Sequence, residues 1–212
     1  TRFFARMKAF LRDELGVKAL LVGTSAYASG LSPYPLLTSA AQLDITDAHF
    51  YWQHPSYFID PETKKRGFRI RNTPMVNEPN KSSVITLQRA AIAGQPFIVS
   101  EVNHPYPNEF AAEALPLLAA YGAFHDWDAL YWYSFEHSDP SQWIPKYPGH
   151  FDSRQDPVKM SQLALGALLF LRGDVDTAKR IIRRDYTAAQ VRESLRLPSA
   201  AHAPYFTPGF PP

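Results

Sequence analysis

Along residues 1–173, short apolar runs of strand length alternate with stretches of helical periodicity, and no two-residue hairpin turn joins one run to the next. Parallel strands need a long, usually helical, crossover between them, whereas antiparallel neighbours can be joined by a tight turn. The alternation therefore predicts a parallel sheet with helices packed on it. Phe3, Phe4, Met7, Phe10, Leu11 and Leu15 mark an amphipathic first helix, ended by Gly16. Val17 to Val22 and Leu43 to His49 read as the first two strands. A helix capped by Ser82 or Ser83 runs to Ala93 and is closed by Gly94. The strands Pro96 to Glu101 and Ala129 to Ser134 follow, separated by a helical stretch that opens at Asn108 and is interrupted at Pro116. Pro157 opens a last helix, with Met160, Leu163, Ala164, Ala167, Leu168 and Leu171 expected on its packed face. Two segments lack either period and read as long loops: residues 51–80, with Pro55, Pro61, Pro74 and Pro79, and residues 135–156.

This pattern fits an open doubly wound sheet or a (β/α)₈ barrel. Asp47, His49, Glu101, Ser134 and Glu136 all fall at the C-terminal ends of expected strands, where barrel enzymes place their chemistry. The expectation is therefore an α/β chain in which residues 1–173 supply about the last four βα units of a TIM-type barrel. A closed barrel takes twice that number. A free half would expose sheet edges and an apolar face, so an N-terminal half-barrel fragment or a second copy of the chain is the expected partner. Beyond Gly173 the character changes: residues 174–212 form a charged stretch, then a Pro/Ala-rich tail expected to be flexible, and they resemble the start of a further domain.

Composition removes several classes of function. A formal charge of +2, with Lys and Arg spread along the chain, gives no footprint for nucleic acid. The longest apolar run, Leu163 to Leu171, is too short for a membrane span. With no cysteine, disulfides, thiolate zinc sites and cysteine nucleophiles are excluded, while the compartment stays open, secretion or the periplasm included. His49 and His54 lack further ligands at metal spacing, and neither a serine elbow nor a phosphate-binding glycine loop is present.

The sharpest local signal is Glu101. It ends the apolar strand PFIVSE and precedes Val102-Asn103-His104-Pro105. A carboxylate there is poor core material unless paired, so it is either a reagent or one arm of a structural ion pair.

The strand-end carboxylate in VSEVNHP, the preceding LDITDAHFYW and the following LYWYSFEHS resemble the last three strands of the clan A glycoside hydrolases. The resemblance spans residues 1–173 and is also similar to uncharacterised bacterial cellulase-like proteins. It implies that Glu101 is the nucleophile of a retaining hydrolase of β-linked sugars. It implies that Tyr51, in His49-Phe50-Tyr51, hydrogen-bonds that nucleophile, and that Trp132 or its neighbour Tyr133 is a sugar platform. Trp52, Asn103, His104 and Glu136 lie in loops beside the implied cleft as further carbohydrate-binding candidates.

Retaining hydrolysis needs two carboxyl groups ~5–5.5 Å apart, one attacking the anomeric carbon and one protonating the leaving oxygen. The family's acid sits in an Asn-Glu element that is not matched at the expected place. Asn77-Glu78 spells the motif but falls in a loop between strands, and Glu136 and Asp47 do not match it, so the acid is expected outside these residues. No cofactor is required. Two other readings stay open: a carbohydrate-binding protein without turnover, and an open-sheet hydrolase or lyase using His49, His104 or His137.

Overall fold

The sheet is smaller than the sequence pattern predicts, and it is open. The computed structural model describes residues 1–25, 33–143 and 149–196. Among these there are five strands: β1 (Thr46–Tyr51), β2 (Ser56–Ile59), β3 (Arg66–Arg69), β4 (Phe97–Asn103) and β5 (Ala129–Trp132). β1, β4 and β5 make a three-stranded parallel sheet in that order, and β2 and β3 pair separately as an antiparallel hairpin. The barrel expectation is corrected by this topology: the described residues form no wall of four βα units.

The strand expected over Val17 to Val22 contributes a single parallel bridge, Val22 to Ile45. Its backbone is claimed by side chains instead. Arg12 donates to the carbonyls of Val17 and Ala19, and Asp44 accepts the Leu21 N–H at 2.9 Å while pairing with Arg12 and Lys8. Leu20 and Val22 are exposed, so burial does not reward a full ladder there. The hairpin overturns the expectation that residues 51–80 are loop throughout. Its six-residue connection (60–65) lies outside the two-residue rule, and its exposed strands give no burial pattern.

Helix α1 (Arg2–Ala9) continues through one π-type turn to Glu14, and Gly16 leaves it at φ 63° as expected. α2 spans Pro33–Ala40. α3 (Ser83–Gln88) begins at the Ser82 cap, which accepts from Ile85 N, but stops short of Ala93. α4 (Ala114–Phe124) follows a 3₁₀ turn, and Pro116 sits in its first turn, where a missing N–H costs nothing. α5 (Pro157–Leu171) is capped by Asp156, which accepts from Val158 N and Lys159 N.

The packed face of α5 is not the one expected. Met160, Ala164, Ala167, Leu168 and Leu171 are exposed, while Lys159 and Gly166 are buried and Leu163 and Phe170 partly so. The helix is apolar nearly all round, so periodicity leaves the face undetermined. Close approach favours it: a Cβ on Gly122 of α4 would lie 3.0 Å from the Phe170 ring, which would then have to give way.

The core is built on β4. Val99 and Val102 are completely buried and Phe97 nearly so, packed by Val84 and Leu87 of α3, Leu118 of α4, and Trp127. Each such side chain contributes on the order of 1.5–3 kcal/mol by leaving water. Past Gly173 the chain returns to this body: Ala178 N donates to Phe124 O, and Tyr186 packs its ring 4.7 Å from Tyr34. α6 (Ala188–Glu193) follows under a Thr187–Gln190 capping box. The expected flexible tail, 199–212, lies outside the described residues. Among the described residues no helix is long and apolar enough to cross a membrane.

One irregularity of the sheet shapes the site. Asp47 and His49 of β1 oppose Ile98 and Glu101 of β4, so two steps on β1 match three on β4. Val99 and Val102 oppose Leu130 and Trp132, so the same holds against β5. β4 thus carries one extra residue relative to both neighbours, a bulge at Ser100–Glu101. Bulges break the alternation of side chains and re-aim them.

Candidate active site

In a regular strand Ser100 and Glu101 would point to opposite faces. Here Val99 and Val102 both stay buried, and the two polar residues between them both reach the ring of His49. Ser100 Oγ lies 2.6 Å from Nε2, and Glu101 Oε2 lies 3.3 Å from Nδ1. The other carboxylate oxygen, Oε1, accepts a very short hydrogen bond from the Tyr51 hydroxyl. Oε1 therefore meets a phenol donor and Oε2 the imidazole edge of His49, and the Glu101 side chain keeps 29% of its surface open. Among the described residues no lysine or arginine pairs with it.

Proton bookkeeping orders the contacts further. Asp47 accepts from Ser100 twice, from the backbone N–H at 2.9 Å and from the hydroxyl at 2.5 Å. Having given its one proton to Asp47, Ser100 Oγ can only accept from His49 Nε2–H. The opposite ring nitrogen then faces Glu101, and that contact is attractive when a proton lies between them, on the ring or on the carboxyl group. Burial, reinforced by the Glu101 carboxylate, pushes the Tyr51 phenol well above its usual range, so it remains a donor at any ordinary pH.

A second histidine cluster stands at the end of β5. His137 Nδ1 makes a very short contact with Asp152, whose Oδ1 also accepts the His137 backbone N–H at 3.1 Å. Nε2, on the far side of the ring, lies 2.9 Å from the Tyr133 hydroxyl. Ser134 Oγ approaches Nδ1 at 3.2 Å, the nitrogen that Asp152 already holds. A serine triad needs serine and carboxylate on opposite nitrogens, so this trio is not one. The two clusters adjoin: the Tyr51 and Tyr133 rings are 6.2 Å apart edge to face, and Phe151 packs 4.7 Å from Tyr51 and 6.3 Å from Tyr133.

The remaining residues named from sequence lie deeper or are otherwise engaged. Trp132 is partly buried against the core, with its indole N–H donating to Ser153 Oγ at 3.0 Å. Trp52 is buried and donates to Thr73 O at 2.9 Å. Asn103 is buried and donates to the carbonyls of Phe151 and Tyr133, bracing the loop after β5. His104 is fully buried, and burial, aided by the charge of Lys159, pushes it down to about 4. Glu136 has a side chain only 1% exposed, paired with Arg154 at 3.2 Å and accepting from the His137 and Ser138 amides. Glu78 is held by Arg71 and Lys81.

The structure thus brings Glu101, His49, Tyr51 and Tyr133 into one neighbourhood and leaves Trp52, Asn103, His104 and Glu136 as its support. Asp47 was visible in sequence as a strand-end acid, but its tie to Ser100 was not. Asp152 carried no signal, because it lies in a patternless loop. Among the described residues no group of three or more His, Asp or Glu side chains is arranged to hold a metal ion. No family model matches the chain, and no curated protein or solved structure matches it significantly.

Proposed function

We propose that Glu101 is the nucleophile of a retaining glycoside hydrolase acting on β-linked sugars. In the first step a carboxylate oxygen bonds to the anomeric carbon while the bond to the leaving oxygen breaks. In the second step water displaces the carboxylate and restores the original configuration. Oε1 is tied to Tyr51, so Oε2, held only by the longer His49 contact, is the oxygen free to attack.

One observation carries this reading: a phenol donor and an imidazole ring meet separate oxygens of a partly open carboxylate near the end of β4, with which, among the described residues, no lysine or arginine pairs. A structural glutamate is usually met by Lys or Arg, as Glu136 is by Arg154. A nucleophile needs the opposite, a charge that is oriented and kept partly accessible. The rings of Tyr51, Tyr133 and Phe151 add apolar faces of the kind a sugar can pack against.

The test is hydrolysis of aryl β-glycosides by the native chain and by Glu101→Gln. The expected result is turnover by the native chain and a loss of about 10³-fold or more in the variant, with sugar binding retained. Binding without turnover by the native chain would favour a carbohydrate-binding protein instead. Undiminished turnover in Glu101→Gln would remove Glu101 from the chemistry.

A further inference from the structure

A double displacement at Glu101 needs a proton for the leaving oxygen, and the nearby carboxylates are committed elsewhere. Asp47 spends both oxygens on Ser100, Glu136 is buried against Arg154, Glu78 is clamped by Arg71 and Lys81, and Asp152 holds His137. What does adjoin the Tyr51 ring that holds Glu101 is a second phenol, backed by a histidine and a buried aspartate.

We propose that Tyr133 is the proton donor of this site, with His137 and Asp152 as the positioning residues that recharge it. The inference rests on the reading of Glu101 as nucleophile and adds the second half of its chemistry. Asp152 is nearly buried, and its contact with Nδ1 fixes the ring so that Nε2 faces the Tyr133 hydroxyl at 2.9 Å. His137 itself is substantially open, at 44% side-chain exposure, so it can exchange protons with water. Tyr133 in turn lies across from Tyr51, which holds the Glu101 carboxylate, with the two rings 6.2 Å apart.

His137 starts with both ring nitrogens protonated, Nδ1–H toward Asp152 and Nε2–H toward the Tyr133 oxygen. Glu101 Oε2 forms its bond to the anomeric carbon, and the electron pair of the breaking glycosidic bond goes to the leaving oxygen. The Tyr133 hydroxyl gives its proton to that oxygen, and the Nε2 proton moves to the phenolic oxygen, leaving His137 neutral. In the second step the attacking water loses a proton to Tyr133, Nε2 recovers its own, and the site is reset. Asp152 keeps its charge throughout and offsets the imidazolium, much as an aspartate does behind a catalytic histidine.

The experiment measures Tyr133→Phe and His137→Gln against two substrates of one sugar, an alkyl β-glycoside whose leaving group must be protonated and a 2,4-dinitrophenyl β-glycoside whose leaving group need not be. General acids are worth about 10²–10⁴-fold to reactions that need them. Tyr133→Phe is expected to cost the alkyl substrate at least about 100-fold more than it costs the dinitrophenyl substrate. His137→Gln should show the same leaving-group bias, more weakly. An equal loss on both substrates, or no loss, in a variant whose circular dichroism and thermal unfolding match the native chain overturns the inference; if Tyr133→Phe does not fold, Tyr133→Leu repeats the ratio with another side chain that has no acidic proton. Failure of the nucleophile reading is distinct: the native chain would give no dinitrophenolate burst from any such glycoside.

Discussion

Glu101, two residues before the end of β4, and Glu136, four residues past the end of β5, both stand near the C-terminal end of a parallel strand, and their surroundings make them opposites. Glu101 is partly open, is aimed by a bulge, and meets a phenol and an imidazole. Glu136 is almost completely covered, pairs with Arg154, and accepts from two backbone amides at the loop after β5. A carboxylate countered by a fixed guanidinium and by peptide N–H groups is a strut. One held by a phenol and an imidazole, and left in reach of solvent, suits the proposed role of reagent. Position at a strand end does not separate the two; the identity of the partners does.

Exchanging each for its amide should break the contrast most widely. Glu101→Gln should lower glycoside turnover by about 10³-fold, equivalent to about 4 kcal/mol of barrier, while chemical denaturation shows a stability change within about 1 kcal/mol. Glu136→Gln should do the reverse. It leaves Arg154 without its counter-ion beside Trp143, and the loss should be about 3 kcal/mol of stability, with turnover per folded molecule largely kept. If Glu136→Gln abolished turnover in a fully folded protein, the division between strut and reagent would fail.

The buried side of the same strand exit sharpens the picture through pH. His104 titrates at about 4 in the folded protein against about 6.5 for an exposed histidine, because burial disfavours its charged form. The unfolded chain therefore binds a proton that the folded chain refuses. Stability from this residue is present above about pH 6.5 and is lost as pH falls toward 4, to the extent of roughly 3 kcal/mol. Replacing His104 by Asn should flatten the acid limb of a denaturation series between those values. An unchanged limb would mean that other groups set it.

Tyr51→Phe should cost about 10–100-fold in turnover, or about 2 kcal/mol, by removing the donor on Oε1. Ser100→Ala should cost less, about 3–10-fold, because it only loosens the ring of His49. A larger effect from Ser100 than from Tyr51 would make the His49 side, and not Tyr51, the stronger hold on Glu101.

Much of this was legible in residue order, but unevenly. The apolar runs of β4 and β5, the cap at Ser82 and the opening of α5 at Pro157 follow from local chemistry, and their positions agree with the chain pattern. The Glu101–Tyr51–His49 grouping was foreseen only through resemblance to a family, since no local rule brings residues fifty apart into contact. The bulge was invisible, because an extra residue in VSEV changes register without changing composition. Barrel closure was over-read: Val17 to Val22 has the composition of a strand, yet Arg12 and Asp44 capture its backbone. The face of α5 could not be read either, since the period of a helix apolar on every side selects no face, and close approach at a neighbour's glycine favours one.

The most direct measurement follows a covalent bond. A 2-deoxy-2-fluoro-β-glycosyl donor with a dinitrophenolate leaving group slows release of the intermediate more than its formation, so a glycosylated protein accumulates. Intact mass should rise by one fluorosugar, and peptide mapping should place it on Glu101, with no adduct on Glu101→Gln. An adduct on any other side chain, or steady turnover with no adduct at all, would contradict the account.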